Sequence, residues 1–412
     1  MSDGQSRPTD MGSSESVATS MNESELAVGV DAFVADGDGL EVAIVGAGAI
    51  GATAAYDLAR RGADVTLYDR GSVASGSSGR AAGVCYNAFA DSLDAEIGTE
   101  SIERFRSLSG EETFPFTECP YVWLAREGDE RRAAAIRAGI TRMLEEGVIA
   151  AEMDAEELGE RFPALYTDDV AVAGVAGAAG YTDPARYTAC LAAAATGMGA
   201  TLESDTPVTV RADPPRVRAV DAAWEREFDA VLVAAGAHTR RVFAAAEVPI
   251  AMKPYRVQAL TAAGPFPEPM CYDATDGFYV RPHPNGLLAG NGTEEVEVDP
   301  DEYDRDANPG FADELCARVR HRLPSVDIEL ERAWAGLCTA TPDGDPLVGE
   351  IRDDVYVATG FQGHGFMRAP AIGERLATQI VGGEGIEAFD PRRFSGDEEF
   401  EIVEGMRVDD PR

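Results

Sequence analysis

The chain has 412 residues, too many for one ordinary core, so two domains or interleaved ones are expected. Lys and Arg number 35 against 73 Asp and Glu, a formal charge of −38, and a surface this negative repels phosphate backbones and argues against nucleic-acid binding. Apolar residues make up 45%, as in soluble globular proteins, and no apolar run reaches the ~18 residues of a membrane span.

The acidic excess is spread along the whole chain, which points to a surface adapted to high salt, where ions screen its self-repulsion, ahead of the alternative of a specific basic partner. The six cysteines (Cys85, Cys119, Cys190, Cys271, Cys316, Cys338) form no CxxC pair and only four histidines occur, so neither a zinc site nor a disulfide scaffold is expected. No metal site is assigned. Asp343-Gly-Asp345 reads as a turn before Pro346, because the next carboxylate is wrongly spaced for a calcium loop.

Residues 1–38 are rich in Ser, Asp, Glu and Gly and read as a disordered acidic tail, neither a secretory signal nor a twin-arginine leader. A cytoplasmic protein is expected. Residues 41–45 form a short buried-strand pattern, followed by Gly46-Ala47-Gly48-Ala49-Ile50-Gly51, an Ala-rich helix over 52–61, and a second strand at 65–68. Residues 86–145 mix helix and strand, with a charged helix over 131–146. Residues 184–198 read as a helix capped by Thr182 or Asp183, and 227–234 as a buried strand. From 250 to 290 the pattern alternates, with strands at 257–261, 277–281 and 287–290, and the acid-rich stretch 294–306 reads as a solvated loop. A strand at 355–359 and a helix over 370–381 close the ordered part.

The βα material at both ends brackets β-rich material between. The expected fold is α/β, a discontinuous Rossmann-like domain with an inserted antiparallel β-sheet domain. Residues 39–85, 146–245 and 331–390 are assigned to the cofactor domain, 86–145 and 246–330 to the substrate domain, and 391–412 to a C-terminal tail.

The GxGxxG spacing gains its weight from context, because it follows a strand, opens a helix and leads to Asp69 at the end of the next strand. Gly46 permits the tight turn, Gly48 leaves room for a pyrophosphate, and Gly51 lets helix and strand approach. The helix start favours negative charge, and Asp69 can accept from a ribose 2′-hydroxyl. An acid there disfavours a 2′-phosphate, leaving FAD or NAD. Two further segments favour FAD. The loop Ser75-Gly76-Ser77-Ser78-Gly79-Arg80 suits a second pass over the pyrophosphate. Gly360-Phe-Gln-Gly363-His364-Gly365-Phe366-Met367 is a second glycine-rich turn before a helix, able to aim amides at a flavin edge where charge develops.

These segments, with the stretches 231–237 (VLVAAGA), 334–349 (WAGLCTATPDGDPLVG) and 355–373 (VYVATGFQGHGFMRAPAIG), resemble the FAD-dependent amino-acid and amine oxidoreductases of the D-amino-acid oxidase superfamily over about residues 40–385. With no covalent flavin cysteine of the sarcosine-oxidase kind near Gly336, the resemblance implies non-covalent FAD. It adds Arg70, Ala81, Ala82, Gly83, Val208, Ala235, Gly236 and Gly336 to the cofactor contacts, with Val208 meeting the adenine side through its backbone. It also implies a substrate held between flavin and inserted sheet, an amine of the sarcosine, glycine, proline or D-amino-acid class, oxidised to an imine by hydride transfer to flavin N5. The acceptor would be oxygen or another redox protein, and a homo- or hetero-oligomer is compatible. The alternatives are a D-amino-acid dehydrogenase, a FAD-binding electron-relay subunit of a hetero-oligomeric dehydrogenase and, more remotely, an NAD dehydrogenase.

Such chemistry needs a carboxylate anchor. Tyr279 and Arg281 lie two apart on a predicted strand and share a face, so Arg281 is either the anchor or half of a structural ion pair. Tyr279 falls where relatives carry a substrate-contacting tyrosine. Arg256 is a second candidate and Arg368 a third. His364 resembles the family's flavin-proximal histidine, which positions the ring system. Three departures narrow the reading by resemblance: Cys338 replaces a carboxylate-binding arginine of glycine and D-amino-acid oxidases, Met367 a lysine of sarcosine oxidases, and Leu288 an oxygen-activating lysine.

Overall fold

A computed structural model describes residues 36–110 and 113–405. The expected acidic tail lies, but for its last few residues, outside the described residues. A six-stranded sheet runs in the order Leu347–Arg352, Val355–Thr359, Ala230–Val233, Glu41–Val45, Asp64–Tyr68, Thr201–Glu203. All neighbours are parallel except the first pair, an antiparallel hairpin. Strands this apolar on both sides need cover on both faces, and they have it. On one side lies the helix Ala49–Arg60, packed between Pro184–Gly197 and Gly365–Ile380. Its buried Ala52, Ala54 and Ala55 permit the close approach, and Thr53 Oγ1 is 2.8 Å from the Tyr187 hydroxyl. On the other side a three-stranded sheet, Val208–Ala212, Pro215–Ala219 and Glu225–Glu227, joins Val210, Val217 and Phe228 to the core beneath Val231 and Val357.

The second layer is an eight-stranded sheet in the order Glu329–Ala340, Lys253–Ala263, Gly286–Glu297, Phe278–His283, Met270–Asp273, Tyr121–Arg126, Val170–Ala176, Ala150–Met153. Only Met270–Asp273 and Tyr121–Arg126 pair in parallel. Period-two alternation sorts its faces. Val122, Leu124, Leu260, Val280 and Ala289 share one core with Leu315, Cys316 and Val319 of the helix Phe311–Arg322, whereas Tyr121 and Trp123 belong to the core of the first layer. That helix is pinned by charge: Arg322 is fully buried and binds Asp169 (2.9 Å) and Asp273 (2.8 Å), and Arg126 also holds Asp273 (2.7 Å).

The mixed architecture matches the expected fold class. The expected block 146–245 divides, its strands at 150–153 and 170–176 joining the antiparallel sheet and those at 201–203 and 230–233 the parallel one. Buried apolar runs of this kind read alike in either sheet. Likewise Glu329–Ala340 completes the antiparallel sheet although residues from 331 onward were expected in the cofactor domain. The late helix begins at Gly365 and runs through Pro370. The first turn was missed because Gly and Pro there weaken the helical pattern. The stretch 294–306 is largely exposed, as expected, but its first residues extend the strand Gly286–Glu297, and Glu297, Asp299 and Asp301 pair at the surface with Arg240, Arg241 and Arg70. No described helix is long and apolar enough to cross a membrane.

Candidate active site

The strand Glu41–Val45 delivers the chain into the turn at Gly46, which has a φ of +113°. A β-carbon there would run into the Ala234 carbonyl, 2.8 Å from its carbon, so only glycine fits. Gly51 sits on the Gly46 carbonyl just as closely, with a β-carbon 3.2 Å from the Gly46 carbon. Asp69 braces the turn, its Oδ2 accepting from Ala47 N (2.7 Å) and its Oδ1 from Gly71 N (2.8 Å). Each oxygen keeps acceptor capacity for a ribose hydroxyl. The loop at 75–83 folds over the helix start, where Ser78 Oγ accepts from Ala49 N (2.9 Å) and Arg80 donates to the Ser75 carbonyl (2.8 Å). Ser77 ties this loop to the antiparallel sheet by donating to Leu337 O (2.8 Å).

One end of a long cavity, about 1620 Å³ with its open mouth, begins here. Gly48, Ala49, Ile50, Ser77, Ser78, Arg80, Ala81, Ala82 and Gly83 line it, as do Gly236 and Gly336. Gly46, Ala47, Gly51, Asp69, Ser75, Gly79 and Ala235 support this wall from behind, outside the lining. Arg70 turns away to Asp301 (2.6 Å), and Val208 opens a strand of the small sheet, paired with Ala219.

The cavity continues to the second glycine turn. The strand Val355–Thr359 ends at Gly360, whose N–H donates to Thr339 Oγ1 (3.0 Å), and Gly363, His364, Gly365, Phe366 and Met367 line the wall. The first amides of the helix Gly365–Ile380 lack helical partners, so this end too presents donors. His364 is buried with Nε2 3.1 Å from the Tyr86 hydroxyl. Desolvation, with the nearby Arg368 charge, lowers its pKa to about 3, so the ring is neutral and too weak a base for proton abstraction near neutral pH. Tyr86 in turn stacks on Tyr121 with centroids 4.2 Å apart.

The roof is the antiparallel sheet. Tyr279, Tyr255, Gln258 and Cys338 line the cavity between the two turns' far ends. Tyr255 faces Cys338 across neighbouring strands, and burial holds the phenols of both tyrosines well above their ordinary range, so both are donors. Burial likewise raises the Cys338 thiol to about 12, which makes it inert.

The expected arginines do not line the cavity. Arg281 donates to the Ala82 and Pro282 carbonyls and stands 5.0 Å over the Tyr181 ring. Arg256 is consumed by Glu294, Asn308 (2.9 Å) and the carbonyls of Asp304 (2.9 Å) and Asp306. Arg368 pairs with Asp94 (2.8 Å). The shared face of Tyr279 and Arg281 therefore separates at its tips, the ring toward the cavity and the guanidinium toward the 80–83 loop. Among lining residues the sequence reading missed Tyr86, Tyr121, Tyr255, Gln258 and Glu404. Tyr86 lies just past the 75–83 loop and could have been read as its continuation. Tyr255 and Glu404 gave no local signal, because strand pairing and chain return place them.

A cavity with amide donors at both ends, a long apolar middle and a sheet of phenols overhead fits an extended dinucleotide carrying a redox ring, and the fold that frames it is that of a flavoprotein oxidoreductase. A family model described as DAO, FAD dependent oxidoreductase, matches residues 41–379. The chain belongs to that family, and its cofactor is FAD. It is 25% identical over 370 residues to a glycine oxidase of Bacillus licheniformis, covering 85% of this chain and 96% of that protein. It is 26% identical to mitochondrial dimethylglycine dehydrogenase of Mus musculus, covering 87% of this chain but 44% of that longer protein. Among solved structures, L-proline dehydrogenase from P. horikoshii superposes with a TM-score of 0.77 at 28% identity, covering 86% of this chain and 98% of that one.

Proposed function

We propose that this enzyme oxidises the C–N bond of an amino acid or amine to an imine, with FAD held non-covalently. The observation that carries this reading is that the phenol-lined chamber under the antiparallel sheet and the amide-lined dinucleotide groove are one continuous cavity. When bound, FAD supplies the acceptor for the electron pair that leaves with the α-hydrogen. The residues would divide the remaining work. Ala49 and Ile50 at one helix start, with Ser77 and Ser78, would hold the pyrophosphate. Gly365, Phe366 and Met367 at the other would face the polar edge of the ring system. Neutral His364, fixed by Tyr86, would orient the ring system.

Tyr279 and Tyr255 would position the substrate by donated hydrogen bonds. Such orientation, with water excluded by the surrounding apolar wall, is what the chemistry asks of the protein. Glycine, sarcosine, proline and D-amino acids are the substrate classes to test, and oxygen or a partner redox protein the acceptors. Anaerobic addition of each compound to the purified yellow protein tests the proposal. Bleaching of the flavin band by at least one is expected, and no bleaching by any amine would count against it. A yellow protein that bleaches only when a partner chain is added would support the electron-relay alternative.

A further inference from the structure

Among the described residues four arginines are buried, Arg256, Arg281, Arg322 and Arg368. Three of them meet carboxylates: Arg256 meets Glu294, Arg322 meets Asp169 and Asp273, and Arg368 meets Asp94. Arg281 instead donates to the Ala82 and Pro282 carbonyls and stands 5.0 Å over the Tyr181 ring. Asp183 acts on it from beyond ion-pairing range, and its Oδ1 is engaged by the amides of Ala185 (2.9 Å) and Arg186 (3.0 Å). Burial makes the Arg281 charge costly and lowers its pKa, yet a guanidinium keeps its proton. A full positive charge is thus held without an acid beside it, in a protein of formal charge −38.

That charge stands just behind the cavity wall. Ala82, whose carbonyl it holds, lines the cavity, and so do Tyr279 and Val280 on its own strand. The segment from Arg80 to Tyr86 leads from the dinucleotide end to the second glycine turn, where the Tyr86 hydroxyl is 3.1 Å from His364 Nε2. Ala82 lies between those ends. The reach of the charge is visible in its neighbours: burial raises the pKa of Tyr279 and of Cys85, and the Arg281 charge opposes the rise in both. At Tyr279 its influence is larger than that of either Cys338 or Glu404, which act the other way.

We propose that Arg281 is the counter-charge for the reduced cofactor, favouring reduced over oxidised FAD and so raising its reduction potential. Hydride transfer breaks a C–H bond and carries the hydrogen with both bonding electrons to FAD. The cofactor is thereby reduced and gains one negative charge, while a neutral amine is oxidised to a cationic imine. A cation fixed in place beforehand stabilises the added charge without reorganising, and burial in a wall of low dielectric preserves its reach. A carboxylate paired with the guanidinium would cancel much of that effect. This assignment rests on FAD lying in this cavity and is independent of the amine-oxidation reading.

The test uses the FAD-loaded protein and its Arg281→Lys and Arg281→Gln variants. Lys keeps the charge, whereas Gln keeps a donor for the Ala82 carbonyl without the charge. Midpoint potentials are read anaerobically against a reference dye with dithionite as reductant, so no amine is needed. The preference for reduced over oxidised FAD should fall roughly tenfold in the Gln variant, a drop of about 30 mV for a two-electron couple, and stay close to wild type in the Lys variant. A hydrogen-bonding role alone would lower FAD content and the thermal midpoint and leave the potential unmoved. Equal potentials in wild type and the Gln variant overturn the assignment, as does an equal drop in both variants. Should the Gln variant fail to retain FAD, wild type decides: its midpoint should lie above that of free FAD, and a midpoint below it overturns the assignment. If the potentials order as expected while no amine bleaches the flavin, amine oxidation fails and the role of Arg281 stands. If amines bleach a Gln variant of unchanged potential, the role of Arg281 fails and amine oxidation stands.

Discussion

Gly290 gives the sharpest test of how Tyr279 is held. The two residues face each other across antiparallel strands, and the Tyr279 ring folds back over Gly290. A β-carbon on Gly290 would overlap the Tyr279 hydroxyl and Cζ and lie 2.6 Å from Cε1. Carbon atoms prefer about 3.5–4.0 Å, so Gly290→Ala must drive the ring away by roughly 1 Å or more. Overpacking of this kind costs about 1–3 kcal/mol. Displacing a substrate-positioning group by ~1 Å can lower the rate by roughly 100-fold.

Urea melts of the holoprotein should therefore show the stability loss, and stopped-flow anaerobic bleaching the slower rate. The decisive comparison is a double-mutant cycle. In a Tyr279→Ala background the clash is gone, so Gly290→Ala should cost close to nothing. The same stability loss in both backgrounds would refute the claim that Gly290 exists to seat this ring.

Three further changes probe the rest of the site. Gly48→Val fills the space beneath Ser78 at the helix start, where even a single β-carbon would lie 3.1 Å from Ser78 Oγ; the protein should purify without its flavin absorbance, and a retained yellow colour would sink the assigned turn. Arg281→Met removes the donor to the Ala82 carbonyl and should weaken FAD binding roughly tenfold while leaving the substrate KM unchanged; a raised KM with FAD affinity intact would restore Arg281 as the anchor. His364 has its pKa lowered from 6.5 to about 3, so the unfolded chain binds the extra proton between those values and stability falls as pH drops through that window. The loss from this residue is about 2 kcal/mol at pH 5, and chemical melts of His364→Gln should show a correspondingly flatter pH dependence between pH 7 and 5 than wild type.

Much of the cofactor end was legible because its geometry is local. A tight turn needs glycine at Gly46, helix-on-turn packing needs it at Gly51, and Asp69 sits where the next strand must end. Such requirements repeat over a few residues and survive in any sequence that builds them. The chamber is different. Tyr255 meets Cys338 only because Lys253–Ala263 pairs with Glu329–Ala340, and Tyr121 joins them through a parallel pairing with Met270–Asp273. Neither register is written in either strand alone. Glu404 arrives through a return of the chain that no periodicity announces.

The arginines show why charge was a poor guide in this chain. With 73 acidic residues to 35 basic ones, a guanidinium near the site has many carboxylates within reach, and desolvating it without one is costly. Arg256 accordingly meets Glu294, Arg368 meets Asp94, and Arg322 meets Asp169 and Asp273. Where no acid is placed, backbone carbonyls take the role, as Ala82 and Pro282 do for Arg281. In so acidic a protein a buried arginine is first a structural cross-link, and its appearance near a motif says little about ligands. Neutral donors carry no full charge that burial obliges to find a counter-ion, so phenols and helix-start amides can stay aimed into a cavity. That asymmetry explains why tyrosines and backbone N–H groups, rather than the expected Arg281, Arg256 and Arg368, line the chamber.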